Sequence, residues 1–141
     1  MSLSLYFWLD GDAVGKGRPR VSTIGGRPRL YTPAKTAAWE RQVADACQTA
    51  MGSLAPTESA WAVRIEISCR IPASWPRKRR EAALQGREIP GKPDLDNVAK
   101  AVLDACNGVA YIDDKQVVRL TVSKRYGASP GIEVHMYEVI D

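Results

Sequence analysis

Residues 61–71, WAVRIEISCRI, alternate without a break. Trp61, Val63, Ile65, Ile67, Cys69 and Ile71 fall on one side, and Arg64, Glu66, Ser68 and Arg70 on the other. Successive strand side chains point to opposite faces, so this spacing predicts a strand with one buried and one wet face. Pro72 ends it, because proline has no N–H to give to a ladder. Such a strand must find a sheet around it and a layer over its apolar side.

The rest of the chain supplies both. Leu3, Leu5, Phe7 and Leu9 alternate with Ser4, Tyr6 and Trp8 and predict a first strand. RVSTIGGRPRLY predicts a hairpin turning at Gly25–Gly26. Thr32–Pro33 predicts a helix start, with Thr32 as cap and Pro33 at the first helical position. Trp39, Val43, Ala46, Cys47, Ala50 and Met51 keep helical spacing until Gly52. A short helix is expected within PASWPRKRREAALQG, and another from Asp96 to Cys106 with Leu95, Val98, Val102 and Ala105 on its apolar side. QVVRLTVSKRY and GIEVHMYEVI predict two final strands. The order β–β–β–α–β–α–α–β–β is an α+β pattern: a mixed sheet with helices packed on one face, in a single domain spanning residues 1–141.

Composition excludes some classes. Three cysteines without a Cys-x-x-Cys pair argue against structural zinc and for a reduced, cytoplasmic protein. No apolar run reaches bilayer length, and the N-terminus lacks a basic leader, so neither a membrane span nor a signal peptide is expected. The net charge is +4. It is concentrated in two places: Lys16, Arg18, Arg20, Arg27 and Arg29 lie in one stretch, and Arg77, Lys78, Arg79 and Arg80 form a run followed by Arg87 and Lys92. Either these are solvated loops or they meet a polyanion such as DNA.

Against that basic background, residues 92–116 collect acids: KPDLDNVAKAVLDACNGVAYIDDKQ. Asp94 and Asp96 stand at a helix entrance. In an extended stretch both carboxylates point one way and Leu95 points inward as an anchor. Asn97 follows, Lys100 lies one turn on from Asp96, and Asp104 one turn further. Asp113–Asp114 precede a strand, where aspartate is disfavoured and a turn is expected. One account needs only a helix cap, a solvated face and a turn. The other brings the two acidic clusters together, where their repulsion calls for a cation and oxygen ligands select Mg²⁺ or Mn²⁺. His135, alone in the last strand, reads as structural or solvated. Trp75 reads as a packing anchor ahead of a DNA-stacking role. Gly15-Lys16-Gly17 lacks the Walker pattern and reads as a basic turn.

KPDLDNVAKAVLDACNGVAYIDDKQV resembles the central motif of the RusA-like Holliday-junction resolvases, small metal-dependent endonucleases of bacteria and phages. GKGRPRVSTIGGRPRLYTPAKTAAWE resembles their basic N-terminal segment and first helix. IPASWPRKRREAALQG resembles the stretch before the motif in phage-type members. The likeness covers most of residues 12–120 and implies a homodimer that nicks four-way DNA junctions symmetrically in recombination and repair. It also hints at a prophage origin. It places the essential acids on Asp94, Asp96 and Asp114 as ligands of Mg²⁺ (Mn²⁺ as substitute). The motif lysine falls on Lys100, and Asp113 becomes a less critical acid. Lys16, Arg18, Arg20, Arg77, Lys78, Arg79 and Asn97 are the expected DNA contacts. A branched-DNA-binding protein without nuclease activity is the alternative; a nucleotide-sugar transferase built on Asp-x-Asp ranks far below, for want of a Gly-rich loop.

Overall fold

A computed structural model describes residues 2–17, 20–31 and 33–140. The expected cap at Thr32, the expected DNA contact at Arg18 and the side chain of Arg20 lie outside the described residues. In chain order the elements are β1 (Ser4–Asp10), β2 (Arg20–Ser22), β3 (Arg29–Tyr31), α1 (Ala34–Met51), β4 (Ala60–Arg70), α2 (Arg77–Leu84), α3 (Leu95–Ala105), β5 (Val117–Gly127) and β6 (Gly131–Val139). A 3₁₀ turn, Asp114–Gln116, leads into β5. The α+β order read from the sequence is therefore the observed one.

Four strands form a mixed sheet in the order β1-β6-β4-β5. β4 runs parallel to β5 and antiparallel to β6, and β1 is antiparallel to β6. The hairpin β2–β3 forms its own two-stranded sheet instead of joining the main one. Its turn carries Gly25 and Gly26 at φ 85° and 78°, a left-handed geometry that glycine adopts without steric cost.

The alternation of β4 gives the core. Trp61, Val63, Ile65, Ile67, Cys69 and Ile71 are all buried, joined by Leu5 and Phe7 of β1 and Ile132, Val134 and Met136 of β6. Fully burying an aliphatic side chain of this size stabilises by roughly 1.5–3 kcal/mol. Ala62, on the wet side by alternation, is buried as well. Its cross-strand partners are Arg119 and Tyr137, whose side chains meet at 3.4 Å over the small methyl.

The helices close the apolar face. α1 presents Thr36, Trp39, Val43, Cys47 and Met51, spaced three or four apart, and packs on β1 and α3. α3 buries Val98, Ala99, Ala101 and Val102. Cys47, Cys69 and Cys106 are free and buried. No helix among the described residues is long and apolar enough to cross a membrane.

At the β6 entrance, Gly131 pairs with Asp10. A Cβ there would overlap the Trp8 ring and stand 2.8 Å from the Leu9 carbonyl oxygen. The ring can swing aside but the backbone oxygen cannot. Gly131→Ala is expected to cost about 1–3 kcal/mol, in the range of overpacked sites. A shift in the urea midpoint at unchanged slope measures it.

Candidate active site

Residues four apart on a helix share a face. On α3, Leu95, Ala99 and Leu103 make one such row, and Asp96, Lys100 and Asp104 make the next. Together with Asp114, Leu120 and Val122 they line a cavity of about 470 Å³ between α3 and β5. One wall is aliphatic; the other holds three carboxylates and an ammonium. Leu95 was expected to point inward as an anchor. Instead α3 begins at Leu95, which is 37% exposed on the cavity rim, because its row faces the opening and the Val98–Val102 row faces the core.

The chain between α3 and β5 is strapped down so that Asp114 returns to the helix it left. Tyr111 is fully buried, packs edge-on against Trp61 and donates its hydroxyl proton to the Leu103 carbonyl at 2.7 Å. Gln116 does more. Its Oε1 accepts from the backbone N–H groups of Ile112 and Asp113 at 2.9 and 3.1 Å. Its Nε2 donates to the carbonyls of Thr57 and Ser59, both at 2.8 Å. The turn is thereby tied to the segment entering β4.

The two members of the second acidic pair part company here. Asp113 caps the turn, accepting from the Lys115 backbone N–H at 2.9 Å in a reciprocal box with Gln116. That hydrogen bond holds its carboxyl below the usual range. Asp114 faces the cavity. Burial pushes its carboxyl up, and the neighbouring carboxylates of Asp104 and Asp113 push it further. Sequence reading left Asp104 on an ordinary polar face. Only the return of Asp114 to α3 gives it a role, and nothing local in the sequence signals that.

Asp94 occupies the cap position of α3 yet makes no side-chain cap hydrogen bond, so its carboxylate does not serve the helix in the way the simpler account requires. It is not among the residues lining the cavity. The loop before it is held by Lys124 of β5, which donates to the Gly91 and Pro93 carbonyls at 3.1 and 3.2 Å. Among the described residues, no group of three or more His, Cys, Asp or Glu side chains is gathered closely enough to hold a metal ion by itself.

A model of the family described as Endodeoxyribonuclease RusA matches residues 10–137. This chain belongs to the RusA endodeoxyribonuclease family. It is also similar to "Uncharacterized protein YqaN" of Bacillus subtilis (strain 168), 36% identical over 135 residues, which are 94% of this chain and 95% of that protein.

In this RusA-family chain the basic residues are less free than their runs suggested. Lys16 bonds Glu40 and Asp104 at 2.8 and 3.1 Å, with its side chain 18% exposed. Burial alone would lower its pKa, but the two carboxylates outweigh that and raise it. Asn97 accepts from the Lys16 backbone N–H at 2.9 Å and packs against Gly15, away from the cavity lining. Arg79 bonds Glu88 at 3.0 Å and lies 3.6 Å over the Trp75 ring, which itself packs edge-on against Tyr126. Trp75 is thus an anchor for α2. Arg77 and Lys78 stay exposed on α2, with Arg77 paired to Glu81. His135 is exposed on the open sheet face beside Ser4 and Tyr137.

Two outcomes follow for this RusA-family site. Gln116→Ala removes four hydrogen bonds, and at roughly 0.5–1.5 kcal/mol each it should lose about 2–6 kcal/mol in a urea titration. Asp114 has a folded pKa above its usual 3.8, so the fold holds more protons than the unfolded chain in the window between the two values. Its contribution to stability is present at low pH and falls as pH rises through the folded value. Asp114→Asn should therefore melt higher than wild type at neutral pH in chelator, and the gain should vanish as pH drops below the usual carboxylate value.

Proposed function

We propose that this chain is a divalent-metal-dependent, structure-selective endodeoxyribonuclease of a single RusA-like domain. It acts on branched DNA, four-way junctions above all, as a homodimer whose two equivalent sites nick two equivalent strands. The observation that carries the reading is the shared cavity: Asp96, Lys100, Asp104 and Asp114 face one space in a chain of the RusA family.

The donor set suits a hard cation. Every candidate ligand is a carboxylate oxygen, and both burial and the neighbouring carboxylates of Asp104 and Asp113, which together push the Asp114 carboxyl up, are effects that a bound cation would offset. Magnesium binds through one or two carboxylates together with waters and substrate phosphate, so the protein alone need not supply a complete cage. Asp96 and Asp114, which line the cavity, would hold Mg²⁺, or Mn²⁺ in its place, and Asp94, at the start of α3 outside the lining, is the third carboxylate that the family likeness assigns to the ion. When bound, the ion supplies an activated water and neutralises charge developing on the phosphate. Lys100, one turn above Asp96, pairs with a phosphate oxygen and holds the scissile group over the acids. Leu95, Leu103, Leu120 and Val122 form the apolar wall opposite the acids. Arg77 and Lys78 contact flanking phosphates, which fixes register on the DNA without reading sequence.

The test is a denaturing-gel assay on labelled four-way, forked and linear DNA, with and without Mg²⁺. Wild type should place paired symmetric nicks in the four-way junction. Asp96→Asn should retain junction binding while cleavage falls about 10²–10³-fold, a loss expected when an electrostatic anchor of the reaction is removed. Normal cutting by that variant would refute the site.

A further inference from the structure

We infer that Lys16 is a positioning residue: it fixes Asp104, and through Asp104 the placement of Asp114, in preference to gripping DNA. This rests on the nuclease reading above and assigns the N-terminal basic segment a task inside the site.

The geometry is that of a part-buried bridge between three pieces of chain. The Lys16 ammonium stands 2.8 Å from Glu40 Oε1 on α1 and 3.1 Å from Asp104 Oδ2 on α3. The three side chains are only 18%, 17% and 28% exposed. The lysine comes from a fixed backbone. Its N–H donates to the Asn97 carbonyl at 2.9 Å. A Cβ on Gly15 would lie 3.0 Å from Asn97 Cβ, so the segment runs directly against the first turn of α3. Neither carboxylate has another cation within bonding distance among the described residues.

The chemistry follows from charge and shape. An ammonium is a compact charge with three donors, and two of them already meet carboxylates. Removing it leaves Glu40 and Asp104 facing each other half-buried and unneutralised, a situation proteins tolerate poorly. Asp104 lines the cavity together with Asp114. One oxygen of Asp104 is thus held from behind by Lys16 while its carboxylate borders the site. Freed from Lys16, Asp104 would turn, and Asp114 beside it would lose its fixed neighbour. A displacement of about 1 Å at a reacting centre can cost about 10²-fold in rate.

The experiment compares wild type, Lys16→Met, Lys16→Arg, Asp104→Asn and the double variant Lys16→Met/Asp104→Asn. The readouts are kcat and KM for four-way-junction cleavage in Mg²⁺, junction affinity without metal across a salt series, and thermal melting. Lys16→Met should lower kcat about 10–100-fold. KM, metal-free affinity and its salt slope should stay at the wild-type value. Lys16→Arg, which keeps charge and donors, should recover a good part of kcat. The double variant should be no slower than Asp104→Asn alone, since both changes break one linkage. A purely structural role would lower the melting temperature without this split or this rescue.

The inference is overturned if Lys16→Met instead weakens metal-free binding and flattens the salt slope by about one while kcat stands, the mark of a lost phosphate contact. It is equally overturned if Lys16→Met cuts like wild type, or if the double variant loses the product of both single effects. Should Lys16→Met fail to fold, Lys16→Arg and Asp104→Asn decide the matter by the same kcat-against-KM split. Wild-type protein that cuts no branched DNA refutes the nuclease reading itself, whereas active wild type with an indifferent Lys16→Met refutes this inference alone.

Discussion

Parallel pairing of β4 with β5 is the constraint on which the rest of the molecule depends. Antiparallel neighbours can be joined by a tight turn; parallel ones require a crossover that carries the chain back to the starting end. Here that crossover contains α2 and α3, and it must lie across the apolar face of β4. α3 therefore packs beside β5 with a charged row along its rim. The first residues of β5 arrive next to the same helix. The cavity lined by Asp96, Lys100, Asp104 and Asp114 is a product of that topology as much as of any motif.

The same constraint explains why the sequence was legible in some places and mute in others. The strict alternation of Trp61 to Ile71 and the helical spacing of Trp39, Val43, Cys47 and Met51 are periodic signals, and periodicity follows directly from backbone geometry. They identified elements and their order correctly. They carry nothing about which strand lies beside which, so the separate β2–β3 sheet and the parallel β4–β5 pair were not visible. Leu95 went wrong for a related reason. Its apolar side chain fits a core position equally well, and only the opening between α3 and β5 leaves it exposed. Asp104 has no local mark at all: two turns of i,i+4 charge look the same on a solvated face and on a cavity wall.

Charge within the site is sorted by hydrogen bonds to the backbone. Of two adjacent aspartates, one is absorbed into turn construction and the other is left facing the cavity, and the difference lies in the backbone N–H groups from which the Asp113 carboxylate accepts in its capping box. Lys16 makes a similar distinction among the basic residues. A lysine part-buried between two carboxylates performs different work from an arginine projecting from α2, although both counted equally toward a net charge of +4. Charge runs in a sequence therefore overstate how much positive surface a polyanion meets.

β5 closes the sheet on one side, and among the described residues its outer backbone edge has no strand partner in the sheet order. An unpaired row of N–H and C=O groups beside exposed Val118 and Leu120 is the kind of template on which chains add to one another and precipitate. Exposed Arg119 and Arg125 stand along that same strand. Like charges on an edge strand disfavour a second copy that approaches edge to edge. Neutralising them to reduce nonspecific nucleic-acid binding would carry a hidden colloidal cost, paid during expression and concentration of the protein.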